Sequence, residues 1–182
     1  MAEVIISVFK CYKTLEMQIP EQPLEIIVGD MLRDRKLTIA TAESCTGGLL
    51  GHMLTDIPGS SVYFLGGIIA YAYGAKENLL GVRHETLWQF GAVSRETVRE
   101  MARGVRRVFA ADIGVSITGI AGPGGGIPNK PVGLVWIGLC TYDGEWSKSF
   151  LWKGNRAENK LSSAQAALQI VYDYLNGKTP TD

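Results

Sequence analysis

From residue 24 onward, the hydrophobic positions alternate between helical spacing and short apolar runs typical of buried strands. The pattern predicts helices over 24–32, 49–54, 75–80, 95–108 and 157–175, and strands over 37–41, 67–71, 112–118, 131–140 and 146–152. Ser94 is the predicted cap of the fourth helix, and Asp143-Gly144 is typical of a hairpin turn. Helices and strands alternate early and a hairpin comes late. This order predicts an α/β fold, a three-layer α/β/α sandwich with a mixed, mostly parallel sheet.

The first 23 residues do not continue this pattern. Positions 4–9 predict a short strand, after which Pro20 and Pro23 interrupt the chain. We interpret residues 1–23 as an N-terminal extension, either an added strand or the remnant of a linker. Residues 24–182 are predicted to form one domain, because a length of 182 residues with 46% hydrophobic and 20% charged positions suits a single packed core.

The charge balance argues against nucleic-acid or membrane partners. The formal net charge is zero, so no global field attracts polyanions. The densest basic cluster is expected to be the solvated face of one helix; it consists of Arg99, Arg103, Arg106 and Arg107. Three cysteines without a C-x-x-C motif favour a reducing compartment, and neither a signal peptide nor a bilayer-spanning run is evident. We therefore expect a cytoplasmic protein.

Two loops rich in glycine and hydroxyl residues each follow a predicted strand. The first spans residues 41–48 and the second residues 118–126. Such loops present backbone N–H groups at strand ends, where open α/β sheets bind ligands and where anions are favoured. Together they predict a site for a small phosphorylated molecule, although glycines that only form turns would give the same local pattern.

Histidine chemistry finds little support in this sequence. His52 is expected to lie on a helix surface or in packing, and His84-Glu85 has Trp88 where a second zinc ligand would be needed. No metal site is therefore expected. The G-x-S-x-G elbow of many Ser-His-Asp hydrolases is also absent.

A neutral lysine is the other group that can activate a serine. Lys76 lies among apolar positions, and burial there would lower its pKa. Ser60 and Ser61 follow a Pro-Gly break, at an expected bend. The alternative interpretation is an exposed helical lysine and two helix-capping serines.

Several longer segments resemble the CinA C-terminal domain family, whose active members are nicotinamide-nucleotide amidases. The resemblance covers about residues 24–175, and its segments occur in the family's order. They are residues 42–48 (AESCTGG), 55–61 (TDIPGSS), 91–94 (GAVS), 118–123 (TGIAGP), 130–133 (KPVG) and 135–136 (VW).

The resemblance implies hydrolysis of nicotinamide mononucleotide to nicotinic acid mononucleotide and ammonia through a serine–lysine acyl-enzyme, without a metal or organic cofactor. By the family pattern, Ser61 would be the nucleophile, Lys76 its base, and Tyr71 would position or relay the proton. The residues alone do not separate Ser60 from Ser61. The nucleotide would be held by Ser44, Thr46, Gly47, Gly48, Thr118, Gly119 and Arg156. Its 5′-phosphate would meet N–H groups of a Gly-rich loop or helix start, with Arg156 as a partner. A homodimer or larger homo-oligomer is also expected.

Two segments depart from the family pattern. Tyr73-Gly74 replaces the usual Asn-Glu pair before Ala-Lys, and Asn155 replaces an acidic residue before Arg156. These changes leave open a second hypothesis, a nucleotide-binding module without catalysis. A third is a domain that mainly mediates self-association through its aromatic residues. Glu43 is interpreted as a carboxylate that shapes the first loop by binding backbone N–H groups.

Overall fold

The computed structural model describes residues 22–178. The interpretation of residues 1–23, including the strand at 4–9, therefore lies almost entirely outside the described residues. The helices are α1 (Leu24–Arg35), α2 (Leu49–Thr55), α3 (Tyr73–Leu80), α4 (His84–Phe90), α5 (Arg95–Phe109) and α6 (Arg156–Leu175), with a 3₁₀ turn at Ser60–Val62. The strands are β1 (Ile39–Glu43), β2 (Phe64–Ile69), β3 (Ile113–Gly119), β4 (Leu134–Cys140) and β5 (Glu145–Leu151).

The five strands form one mixed sheet in the order β2-β1-β3-β4-β5. β1 pairs in parallel with both β2 and β3, whereas the pairs β3–β4 and β4–β5 are antiparallel. Four strands therefore point in one direction and β4 alone opposes them. The predicted fold class is confirmed, although only two of the four strand pairings are parallel.

Two helical layers cover the two faces of the sheet. One core joins α1, α2 and α6 to side chains such as Ile39, Val115 and Ile137. The other joins α3, α4 and α5 to Ala40 and Ala42. Because successive side chains of a strand point to opposite faces, Ile39 and Ala40 enter different cores. This arrangement is the predicted three-layer sandwich.

Helix α5 packs close to the sheet and to α3. Ser94 caps it as predicted, since its Oγ accepts a hydrogen bond from the N–H of Thr97. Gly104 allows the close approach, because a Cβ atom there would lie 2.0 Å from the carbonyl oxygen of Leu80. The helical spacing of apolar positions in α5 predicts that Val108 points inward, but its side chain is half exposed, near the C-terminal end of the helix.

The sequence pattern missed or displaced two elements between residues 60 and 94. Helix α4 was not predicted, and only Thr86 and Leu87 of its seven residues are buried, which leaves a weak apolar signal. Strand β2 begins at Phe64 rather than at residue 67. That shift moves the start of the strand close to Ser61, with consequences for the site.

Candidate functional site

The strand order creates a crevice at the carboxyl ends of β1 and β3. β1 and β3 are neighbours in the sheet, but the chain continues from β1 to β2 on one side and from β3 to β4 on the other side. The loops that follow β1 and β3 therefore run in opposite directions. Open α/β sheets bind ligands at such switch points. The first loop begins with Ser44, directly after β1, and the second begins with Ile120, directly after β3. The two Gly-rich loops of the sequence therefore meet at one edge of the sheet.

Glu43 holds the first loop in place. Its carboxylate accepts hydrogen bonds from the N–H groups of Gly48 (3.0 Å), Leu50 (3.1 Å) and Gly51 (2.8 Å). Gly47 and Gly48 adopt positive φ angles of 64° and 99°, which allow the chain to turn back into α2. The interpretation of Glu43 as a loop-shaping carboxylate is confirmed. Neither Ser44 nor Thr46 caps α2 with its side chain, because Glu43 accepts the N–H groups at the start of that helix.

Lys76 is fully buried and its ammonium nitrogen lies beside Ser44. Nζ donates hydrogen bonds to the carbonyl oxygens of Ala70 (2.6 Å) and Tyr71 (3.2 Å), and it lies 3.1 Å from Ser44 Oγ. Because β1 and β2 are parallel neighbours, the residues that follow them lie side by side. The two strands thus bring together a serine and a lysine 32 residues apart.

Burial shifts the pKa of Lys76 and of Cys45, the residue that follows Ser44. Burial lowers the pKa of Lys76 from 10.5 to about 8, because the interior disfavours the ammonium form. Burial raises the pKa of the Cys45 thiol to about 11, so that side chain stays protonated at neutral pH. The side chain in hydrogen-bond contact with Lys76 Nζ is the hydroxyl of Ser44.

Arg156 connects the second loop to the segment after β2. Its guanidinium donates to the carbonyl oxygen of Gly122 (2.8 Å) and to the hydroxyl of Tyr71 (3.0 Å). Thr118, at the end of β3, donates its hydroxyl to the carbonyl oxygen of Ala92 (2.8 Å). These bonds fix the walls of the crevice around Lys76.

The crevice encloses a cavity of about 270 Å³. It contains six of the predicted site residues: Ser44, Tyr71, Lys76, Thr118, Gly119 and Arg156. Sequence reasoning did not single out two wall residues, Ala92 and Val93, although the segment 91–94 that contains them was part of the family resemblance. Thr46 is fully buried outside this lining, and its hydroxyl has no hydrogen-bond partner in residues 22–178. Gly47 and Gly48 shape the turn and do not line the cavity.

The structure does not bring Ser61 to Lys76. Ser61 belongs to the 3₁₀ turn before β2, whereas Lys76 follows the far end of that strand. At about 3.3 Å per residue, β2 alone places roughly 16 Å between its two ends. The expected pairing of Ser61 with Lys76 is therefore corrected: the serine that contacts the lysine is Ser44. Ser60 lies in the same distant turn as Ser61.

Comparisons with known proteins identify the family of the chain. The sequence matches the family described as the CinA C-terminal domain over residues 21–175. The chain belongs to this family. The crystal structure of the competence/damage inducible protein CihA from Agrobacterium tumefaciens is similar, with a TM-score of 0.81 and 40% identity; the match covers 84% of this chain and 93% of that one. A competence damage-inducible protein A (ComA) from Klebsiella pneumoniae aligns with a TM-score of 0.82 at 32% identity, over 84% of this chain and 95% of that one.

Curated members of the CinA C-terminal domain family extend well beyond the matched region. A relative from Halothermothrix orenii, described as competence-damage inducible, is 54% identical over 149 residues, which are 81% of this chain and 36% of the relative. A CinA-like protein from Chloroherpeton thalassium is 50% identical over 160 residues, covering 86% of this chain and 38% of the relative. The chain thus spans little more than a third of the length of these relatives.

Residues 22–178 contain neither a candidate metal site nor a helix suited to cross a membrane. This part of the chain contains no group of three or more histidine, cysteine or acidic side chains placed to hold a metal ion. None of its helices combines the length and the apolar character needed to cross a membrane.

Proposed function

We propose that this protein hydrolyses the carboxamide of nicotinamide mononucleotide to nicotinic acid mononucleotide and ammonia, with Ser44 as nucleophile and Lys76 as its base. The observation that carries the proposal is the contact of 3.1 Å between Lys76 Nζ and Ser44 Oγ, inside a crevice at a topological switch point. The substrate comes from the resemblance to amidases of the CinA C-terminal domain family.

The surroundings of Lys76 support its role as a base. Two neutral carbonyl oxygens, those of Ala70 and Tyr71, accept two of its N–H groups, and within residues 22–178 no carboxylate is among the hydrogen-bond partners of Nζ. In the neutral amine these two N–H groups stay bonded, and the lone pair points at the hydroxyl of Ser44. A cationic pyridinium ring bound nearby would disfavour protonation of the amine further.

The proposed reaction proceeds through an ester on Ser44. The Ser44 hydroxyl attacks the carboxamide carbon as its proton moves to Lys76, and a tetrahedral oxyanion forms. Collapse of this intermediate breaks the carbon–nitrogen bond, and Lys76 returns the proton to the departing ammonia. Water then attacks the ester, with Lys76 as base, and releases nicotinic acid mononucleotide.

The first loop offers donors for the oxyanion. The N–H groups of Cys45 and Thr46 directly follow the nucleophile, and neither donates to a backbone carbonyl among residues 22–178. Donors in this position act on the charge that develops in the transition state, and each is typically worth about 3 kcal/mol. Glu43 fixes their orientation by anchoring the loop on its other side.

Ammonia release from nicotinamide mononucleotide tests the proposal. The parent protein should release ammonia and nicotinic acid mononucleotide in equal amounts, and Ser44→Ala and Lys76→Met should each lower kcat by about 10³-fold or more. Ser61→Ala is the matched control, since it removes a serine hydroxyl far from Lys76. Rapid quenching of the parent should reveal a Ser44-containing peptide heavier by the acyl group.

Two results would overturn the proposal. A parent protein that binds the nucleotide but releases no ammonia would support the binding module instead. Full turnover by Ser44→Ala would exclude the assigned nucleophile.

A further inference from the structure

The cavity beside Ser44 is small for a complete nucleotide. Its volume of about 270 Å³ lies below the range of about 300–1,000 Å³ that is usual for small-ligand pockets. A second cleft of about 390 Å³ adjoins it, and Arg156 lines both. The second cleft thus continues the Ser44 cavity past Arg156 and offers room for the part of a ligand that the cavity does not hold. We call it the Lys160 cleft; its lining residues are Leu49, Arg156, Ala157 and Lys160.

Two cations border the Lys160 cleft without an acidic partner. Arg156 donates to a carbonyl oxygen and a phenol hydroxyl, both neutral. Lys160 has no hydrogen bond or ion pair with another residue of the described segment 22–178. The two residues are one turn apart on α6, an arrangement that destabilises a helix through repulsion of like charges.

The acidic side chains on this turn of α6 and beneath the first loop already accept backbone hydrogen bonds. Glu158 lies on the same turn of α6, but its carboxylate accepts the N–H of Asn155 in a capping box. Glu43 lies below the first loop, and three backbone N–H groups occupy its carboxylate. Neither carboxylate therefore forms an ion pair with Arg156 or Lys160 within residues 22–178.

The engagement of Glu43 also disfavours a phosphate at the N–H groups that begin α2. The family resemblance predicts phosphate at the N–H groups of a Gly-rich loop or a helix start, with Arg156 as a partner. The N–H groups of Gly48, Leu50 and Gly51 already donate to the Glu43 carboxylate, and a second anion there would meet its negative charge. Lys160 Nζ lies just above the same loop, 3.7 Å from where a Cβ atom of Gly47 would be.

We propose that the Lys160 cleft binds the phosphate monoester of the substrate, with Arg156 and Lys160 as its two cationic ligands. The inference rests on the proposed function for the position of the carboxamide at Ser44. Arg156 presents a planar pair of donors to phosphate oxygens, and Lys160 adds a point charge from the next turn of the same helix. Lys160 is then the residue that distinguishes a nucleotide from the corresponding nucleoside.

Calorimetric titration with ribose 5-phosphate tests the cleft independently of catalysis. The parent protein should bind this probe, whereas ribose should show no binding at the same concentration. Lys160→Gln should weaken binding by about tenfold or more, in line with the loss of one charge-assisted contact. Lys178→Gln is the matched control, because Lys178 follows the opposite end of α6 and pairs with Asp173.

Kinetics provide the second measurement. With nicotinamide mononucleotide, Lys160→Gln should raise KM by about tenfold and leave kcat nearly unchanged, while turnover of nicotinamide riboside should be the same in parent and variant. Unchanged affinity of Lys160→Gln for ribose 5-phosphate, or equally tight binding of gluconate by the parent, would overturn the phosphate assignment. Ribose 5-phosphate binding that depends on Lys160 without ammonia release would retain this inference and refute the amidase.

Discussion

The pH dependence of hydrolysis follows directly from the burial of Lys76. Only the neutral amine can take the proton of Ser44, and burial lowers the pKa from 10.5 to about 8. At pH 7 about a tenth of the molecules then carry neutral Lys76, compared with roughly three in ten thousand for an ordinary lysine. We expect kcat/KM to rise about tenfold per pH unit below pH 8 and to level off above it.

The same shift makes a prediction about stability. Between pH 8 and pH 10.5 the unfolded chain holds more protons at this position than the native protein does, so the free energy of unfolding increases with pH across this window. Below pH 8 both states are protonated, and the penalty for burying the ammonium group is constant. A shift from 10.5 to about 8 corresponds to about 3 kcal/mol.

The comparison with Lys76→Met isolates this contribution. Methionine preserves the length of the side chain and cannot titrate. Urea unfolding of both proteins at pH 7.5 and pH 10.5 should show the parent gaining about 3 kcal/mol in the free energy of unfolding relative to the variant.

For the pH profile of kcat/KM, product formation should be quantified chromatographically, so that no coupling enzyme adds its own pH dependence. A flat kcat/KM between pH 6 and pH 9, or a stability difference that does not vary with pH, would refute the reasoning.

Three further substitutions test separate parts of the structure. Glu43→Gln replaces a carboxylate that accepts three N–H groups, and it should lower the free energy of unfolding by about 2 kcal/mol, measured with urea. Ser61→Ala should leave kcat/KM within about twofold of the parent, since the turn before β2 is remote from Lys76; a large loss would contradict the site described above. Gly104→Ala places a Cβ 2.0 Å from a backbone oxygen and should cost about 3 kcal/mol, a fall in Tm of roughly 9 °C by calorimetry.

The sequence predicts the fold better than the site. Much of the fold follows from patterns among residues close in sequence, whereas the site depends on contacts between residues far apart in sequence. Helix α6 and the hairpin between β4 and β5 follow from local spacing and turn chemistry, and both are confirmed. The burial of Lys76 depends on carbonyl groups at the end of β2 and on a loop after β1, which meet only through strand pairing. No local pattern contains that information.

The family pattern assigns the nucleophile to Ser61, and the predicted bounds of β2 do not contradict that assignment. If β2 starts at residue 67, as the pattern predicts, Ser61 lies in a bend whose direction the sequence does not define. Ser61 is also close to Lys76 in sequence. The observed start at Phe64 places Ser61 before the strand and Lys76 after it. In a parallel pair, residues that follow the two strands share an edge of the sheet, and this rule favours Ser44 once the bounds of β2 are known.

The anchoring of the first loop by Glu43 has a consequence for how fast a ligand is captured. A loop already held by three internal hydrogen bonds loses little conformational entropy when a ligand arrives. Free and occupied forms should then share nearly the same backbone around Gly48 and Gly51, and their amide protons should exchange slowly with solvent even without ligand. Association should accordingly occur in a single step, without a preceding opening of the loop.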